Sequence, residues 1–319
     1  MTIPTIYPFA FDPTYGMHLE QLQSIELPDA PVGFDDFWRK RYKRALAVDP
    51  QPRLRHSKLH ADRWRVFDIS YMSTNSFQIN GWLLLPRHGQ VRRGLVVGHG
   101  YGGREQPDFD LPLEETAVLF PCSRGLSLSA CPQIPADASG HVLCGIESRD
   151  TYVIGGCVED LWLAVSTLET LYPWIASNIG YSGISFGGGL GALAIPFDTR
   201  IDRGHLVVPT FGHRSLWLTL PAVGSAQSVQ AYQQEHGSVF ETLRFFDAAI
   251  AASRIRVPML IAPALFDPAV APPCQFAVAN ATQKFNEIFI LDAGHFEYDG
   301  MNEQNAILRD KVGHFFKVP

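Results

Sequence analysis

Long apolar runs, basic clusters and paired cysteines are all missing from this 319-residue chain. No apolar stretch reaches the roughly 18 residues that a membrane span needs, so no membrane partner is expected. There is no Lys/Arg-rich run, and the formal net charge is −6. That removes the electrostatic basis for nucleic-acid binding. The five cysteines (Cys122, Cys131, Cys144, Cys157 and Cys274) are an odd set without a C-x-x-C pair. Free thiols, not a disulfide framework, are the expectation at this length. The eleven histidines show no H-E-x-x-H or similar ligand spacing. His99 and His141 could serve as ligands in principle, but isolated histidines are more often hydrogen-bonded structural residues. No metal and no cofactor are therefore expected. Met1 to Tyr15 lacks a basic start followed by an apolar stretch, so it does not read as a signal peptide, and the cytoplasm is the default location.

What remains is an ordinary globular composition, with 46% hydrophobic and 18% charged residues. The length suits one large α/β domain, residues 1–319. Residues 1–62 read as an N-terminal extension with a packing helix, Phe34 to Ala47, in which Phe34, Phe37, Trp38, Tyr42 and Leu46 can share one face. Trp64 to Met72 and Phe77 to Leu85 read as a hairpin around Ser73-Thr74-Asn75-Ser76, ended by Pro86. Short buried strands follow at Gly94 to Gly98, Ala117 to Pro121, Ser177 to Ser182, Gly204 to Val208, Val257 to Leu265 and Glu287 to Leu291. Helical spacing marks Gly156 to Tyr172, Gly187 to Ala194 and Asn302 to Phe316. Leu126 to Glu147, rich in Ser, Pro and Gly, reads as a long surface loop. Residues 211–250 are helical but broken at Pro221 and near Gly237, as expected of a helical insertion. Alternating strands and helices predict a mostly parallel sheet covered on both faces.

The chemistry is concentrated in Gly183-Ile184-Ser185-Phe186-Gly187. This is the Gly-x-Ser-x-Gly form of a nucleophile elbow, with a strand before it and a small-residue helix start after it. The flanking glycines remove Cβ atoms where strand and helix approach. Alone the pattern is weak, because Gly and Ser also mark ordinary turns. A serine needs a base, and the base needs a third group to hold it. Asp267 and His295 supply both in the order Ser, acid, His, each just past a predicted strand end, where open α/β sheets place their sites. Asp267-Pro268 also reads as an ordinary turn or helix cap. Asp292 and Asp247 are rival acids. The oxyanion needs backbone N–H donors, expected from Phe186 and from Tyr101 in the Gly-rich loop Gly98-His99-Gly100-Tyr101-Gly102-Gly103. A phosphate-binding turn is the alternative for that loop, but the Lys-Ser/Thr of a P-loop is absent. The rings of Tyr101, Phe186 and Phe296 are expected to crowd the nucleophile and limit the acyl group.

With these residues in place, the chain resembles the acetyl xylan esterase and cephalosporin-C deacetylase family (carbohydrate esterase family seven), of α/β-hydrolase fold. The resemblance runs from about Phe34 to the C-terminus through "FQINGWLLLP", "GYGGR", "GIESRDTYVIGG" and "ETLRFFDAAIAASRI". It implies a triad of Ser185, Asp267 and His295, with Tyr101 and Phe186 lending amides. It also implies a small acetylated, sugar-like substrate and a closed homo-oligomer, commonly a hexamer, with active sites facing an internal cavity. Two departures stand out. The family's Arg-Gly-Gln is here Arg124-Gly125-Leu126, and its His-Glu pair is split as His295-Phe296-Glu297. The expected activity is removal of a small acyl group from a sugar-like alcohol. The alternatives are a general carboxylesterase or peptidase of the same fold, and a non-catalytic relative that binds a ligand in the old pocket.

Overall fold

A computed structural model describes residues 7–282 and 286–317; the first six residues of the Met1–Tyr15 stretch lie outside these. Nine strands form one sheet: β1 (Arg53–His56), β2 (Trp64–Met72), β3 (Gln78–Pro86), β4 (Arg93–Gly98), β5 (Thr116–Pro121), β6 (Ile179–Ile184), β7 (Ile201–Val207), β8 (Met259–Ala262) and β9 (Asn286–Ile288). Their spatial order is β1-β2-β3-β5-β4-β6-β7-β8-β9. The three pairings from β1 to β5 are antiparallel and the five from β5 to β9 are parallel. This is the mostly parallel sheet that the strand–helix alternation predicts, and it agrees with the α/β-hydrolase fold that the family resemblance implies.

Neighbouring residues on a strand point to opposite faces, so a strand covered on both faces can be apolar throughout. In β4, Val96 faces the core under the helices Val153–Leu171 and Phe186–Ala194. Leu95 and Val97 face a second core with Leu308, Val312 and Phe316 of the C-terminal segment. The crossover between the parallel strands β4 and β5, residues 99–115, contains no helix. Residues 211–250 carry the helices Arg214–Thr219, Ser225–His236 and Phe240–Leu243, with interruptions at Pro221 and Gly237. Among the described residues, no helix is long and apolar enough to cross a membrane.

Several expectations need correcting. β1 was not expected, because Arg53-Leu54-Arg55-His56 is exposed throughout and carries no alternation for a pattern to detect. Residues 126–147 are not a surface loop: they contain a helical turn at Ala138–His141, and Leu126, His141, Val142 and Ile146 are buried. Leu126 therefore occupies an apolar position. On the helix Phe34–Leu46, Leu46 is exposed, and Arg41 turns inward instead.

That arginine belongs to a buried charge network. Arg41 donates to Glu159 at 2.8 Å, and Arg44 and Thr74 bond the same carboxylate. Arg124 grips Asp160 with Nε at 2.9 Å and Nη2 at 2.6 Å, and also reaches Ser73 and Thr74. Both guanidinium groups lie against the backbone of the helix Val153–Leu171. A Cβ on Gly155 would come within 2.5 Å of Arg41, and one on Gly156 within 2.5 Å of Arg124. One helix is thereby fixed to the helix Phe34–Leu46, the β2–β3 hairpin and the segment after β5.

Removing one member of such a pair leaves its partner charged and buried, which costs about 3–5 kcal/mol. Asp160→Ala should lose stability of that order in urea unfolding. Arg124→Met combined with Asp160→Leu should lose much less, because no charge is left unpaired. Equal losses in the two variants would show that packing, not the ion pair, carries the stability.

Candidate active site

β6 ends at Ile184 and the next helix begins at Phe186, so Ser185 alone makes the turn, at φ 53° and ψ −110°. That region costs a non-glycine residue of order 1–3 kcal/mol and persists only where the surroundings enforce it. Here the Ser185 N–H donates to Val207 O at 2.8 Å. The Ser185 carbonyl accepts from Gly189 N at 2.9 Å and Thr210 N at 3.2 Å. The glycines are sterically required. A Cβ on Gly183 would sit 2.5 Å from Gly187 O, and one on Gly187 would sit 2.7 Å from the carbonyl carbon of Gly98.

Ser185 Oγ lies 2.9 Å from His295 Nε2, and His295 Nδ1 lies 2.8 Å from Asp267 Oδ2. The three predicted residues are thus brought into one chain of hydrogen bonds. With Nδ1–H donating to the carboxylate, Nε2 is left to accept the serine proton. His295 stands at φ 48° after Gly294, where a Cβ would come 2.4 Å from Asp267 Oδ2. Its side chain is 29% exposed, whereas that of Asp267 is fully buried. Burial disfavours the charged imidazole, but the Asp267 charge and hydrogen bond outweigh it, so the pKa of His295 rises above the ordinary 6.5.

Asp267 has a full set of partners. Oδ1 accepts from Ala269 N at 2.8 Å and Val270 N at 2.9 Å, so the turn-capping reading and the His-partner reading both hold. Oδ2 accepts from Gln275 Nε2 at 2.8 Å as well as from His295. The Asp267 N–H donates to Pro13 O at 3.1 Å. Of the rival acids, Asp292 is bonded through its N–H to Gln304. Asp247 is spent on four amides, those of His213, Arg214, Ala249 and Ile250, capping a helix start rather than lying inside one.

The Tyr101 and Phe186 N–H groups have no backbone or side-chain acceptor among the described residues. The loop carrying Tyr101 reaches the elbow: Gly187 N donates to His99 O at 2.9 Å, and a Cβ on Gly100 would lie 3.8 Å from Ser185 Cβ. His99 braces the loop. Its Nε2 accepts from Ser123 N at 3.0 Å, so its Nδ1–H donates to Gly100 O at 2.7 Å. Burial lowers its pKa to about 4, which keeps it neutral in this role. His141 bonds Arg124 O at 2.9 Å. Both histidines are structural links.

The expected ring arrangement is only partly seen. The Tyr101 and Phe186 rings stack at 4.1 Å, with Phe186 fully buried. Phe296 instead packs on Phe266 at 5.1 Å and on Phe9 at 6.0 Å. Sequence reasoning missed Gln275, the bracing role of His99 and the Pro13 contact. A glutamine inside the helix Pro272–Ala281 carries no pattern that points to a carboxylate eight residues earlier.

Residues 13–314 match the profile of the family described as Acetyl xylan esterase (AXE1). Among solved structures, the acetyl xylan esterase from Paenibacillus sp. R4 superposes with a TM-score of 0.82 at 24% identity, over 92% of this chain and 99% of that one. Acetyl xylan esterase 1 from Thermoanaerobacterium sp. JW/SL YS485 gives 0.81 at 20% identity, over 95% and 99%. An acylaminoacyl peptidase from Pyrococcus horikoshii gives 0.61 at 16% identity, over 81% of this chain and 42% of the peptidase. At these identities the structures bear on the fold, and the profile match bears on the family.

The opposing causes at His295 can be separated. In the native protein its imidazole should titrate above 6.5 when followed by NMR. In Asp267→Asn the charge that raises the value is gone and burial acts alone, so the titration should move to lower pH, below 6.5. A midpoint unchanged by this substitution would mean that the carboxylate does not govern the imidazole.

Proposed function

The chain belongs to the acetyl xylan esterase family, and from that membership we propose that it is a serine esterase removing acetyl and other small acyl groups from sugars or related alcohols. Ser185 is the nucleophile, His295 the general base and then acid, and Asp267 the carboxylate that orients it. The N–H groups of Tyr101 and Phe186 are the oxyanion donors. The observation that carries this reading is the continuous Ser185–His295–Asp267 chain, at 2.9 Å and 2.8 Å, ending on a serine that is held in a strained turn.

The steps follow from that geometry. Ser185 Oγ attacks the ester carbonyl as its proton passes to His295 Nε2. Negative charge gathers on the carbonyl oxygen, where two fixed amides stabilise it without reorganising. The imidazolium faces a buried carboxylate that already has its other donors, so it is stabilised where it forms. Nε2–H then protonates the departing alkoxide, leaving an acyl-serine. Water repeats the sequence: it gives a proton to His295, releases the acid and restores the hydroxyl.

Of the two stacked residues Phe186 is fully buried and Tyr101 only partly, so Tyr101 is the ring that can wall an acyl pocket suited to short acyl groups. A methylene that fits gains only about 0.8 kcal/mol by burial. One that overpacks the site costs typically 1–3 kcal/mol. The wider reading as a general carboxylesterase or peptidase shares the same triad and differs in this pocket. A non-catalytic role is disfavoured by the intact hydrogen-bonded chain. The family resemblance also supports a closed homo-oligomer; light scattering at micromolar concentration tests the assembly.

Two outcomes are expected. Ser185→Ala should lose about three or more decades in kcat and all labelling by a fluorophosphonate while keeping the native fold, since triad members act as a unit. Substantial residual esterase activity would remove Ser185 from the mechanism. Across p-nitrophenyl esters, acetyl and propionyl should be cleaved far faster than octanoyl. An equal or higher kcat/KM on octanoyl would favour the general carboxylesterase.

A further inference from the structure

Residues 7–16 lie across the loops that carry Asp267 and His295, and alternate along their length. Tyr7, Phe9 and Phe11 are partly buried, while Pro8, Ala10 and Asp12 are exposed. The rings form a continuous row with centroid separations of 6.3 Å (Tyr7–Phe9), 5.9 Å (Phe9–Phe11) and 5.9 Å (Phe11–Tyr15). The row meets the catalytic loops at Tyr7–Phe266, 5.4 Å, and at Phe9–Phe296, 6.0 Å. The strap is fixed in place. Pro13 O accepts from Asp267 N, Tyr15 Oη donates to Pro221 O at 2.6 Å, and Asp12 closes a turn by accepting from Thr14 N at 2.9 Å.

A strap whose only task was anchoring would bury its rings as Phe266 is buried. Phe296, which follows His295 directly in sequence, Phe9, which packs on it, and Phe11, which packs on Phe9, instead keep part of their surface open. In ester cleavage the alcohol leaves as its oxygen takes a proton from His295 Nε2, so the body of the alcohol must lie beside that imidazole. Pyranose rings present a face of C–H groups that packs on aromatic faces, with hydroxyls directed outward at the rim. The exposed carboxylate of Glu297, directly after Phe296, can accept from such hydroxyls.

We infer that Phe9, Phe11 and Phe296 form the subsite for the alcohol part of the ester, with a sugar ring held against their faces. This rests on His295 being the general base. It also gives a use to the split between His295 and Glu297, since the intervening Phe296 joins the row.

The test compares an acetylated methyl xyloside with ethyl acetate, which has no ring to stack. In Phe9→Ala/Phe11→Ala, the ratio of kcat/KM for the sugar acetate to that for ethyl acetate should fall about tenfold, carried mainly by KM for the sugar. Phe9→Leu/Phe11→Leu keeps apolar bulk but removes the flat faces, and should show the same fall in ratio if the alanine variant does not fold. An unchanged ratio overturns the proposal, whether both rates fall together or neither moves, because the strap then only positions the acid and base. Failure of the underlying reading looks different: His295→Ala would retain activity on both esters, and the native protein would resist fluorophosphonate.

Discussion

Three stretches of backbone have to share the space of one at the elbow, and much of the site depends on that approach. β4, β6 and the following helix meet at Gly98, Gly183 and Gly187, where any Cβ would come within 2.3–2.7 Å of a neighbour. The strain at Ser185 is sustained by this approach and by three backbone hydrogen bonds. Because Gly187 is tied to His99, the turn that lifts the hydroxyl also brings the oxyanion loop beside it. The proposed nucleophile and the proposed oxyanion donors are therefore one geometric unit.

Asp267 and His295 form a second unit, assembled differently. Asp267 does not depend on its own strand end alone. It draws donors from the turn after it, from Gln275 on the next helix and from His295, while its own N–H is held by Pro13. Every lone-pair direction facing protein is used, so the carboxylate can stay buried without a formal counter-ion. Gly294 is the other half of this arrangement, since only a missing side chain lets the His295 backbone pass so close to Oδ2.

The elbow could be read from sequence because it needs small residues at fixed spacing, and such a requirement leaves a local trace. That Asp267 and His295 would meet Ser185 could be read from their positions after late strands. Strand limits were less legible. β8 spans only Met259–Ala262, and Leu291 joins as an isolated bridge to Ala264, because an apolar run marks burial rather than pairing. β1 escaped notice for the opposite reason, being a fully exposed edge. Residues 126–147 look like a loop by composition, yet their Leu126, Val142 and Ile146 enter the core. Gln275 and Pro13 could not be found, since their roles exist only through contacts that tertiary structure creates.

The contact between Pro13 and Asp267 joins two points that are far apart along the chain. At about 5–20 residues per second, the ribosome delivers Asp267 roughly tens of seconds after Pro13. Throughout that interval the row of Tyr7, Phe9, Phe11 and Tyr15 has neither Phe266 nor Phe296 to lie against. The nascent chain therefore carries this aromatic segment without those partners for the whole of that interval. Residues 7–16 can take up their place over the loops of Asp267 and His295 only after both loops have been made.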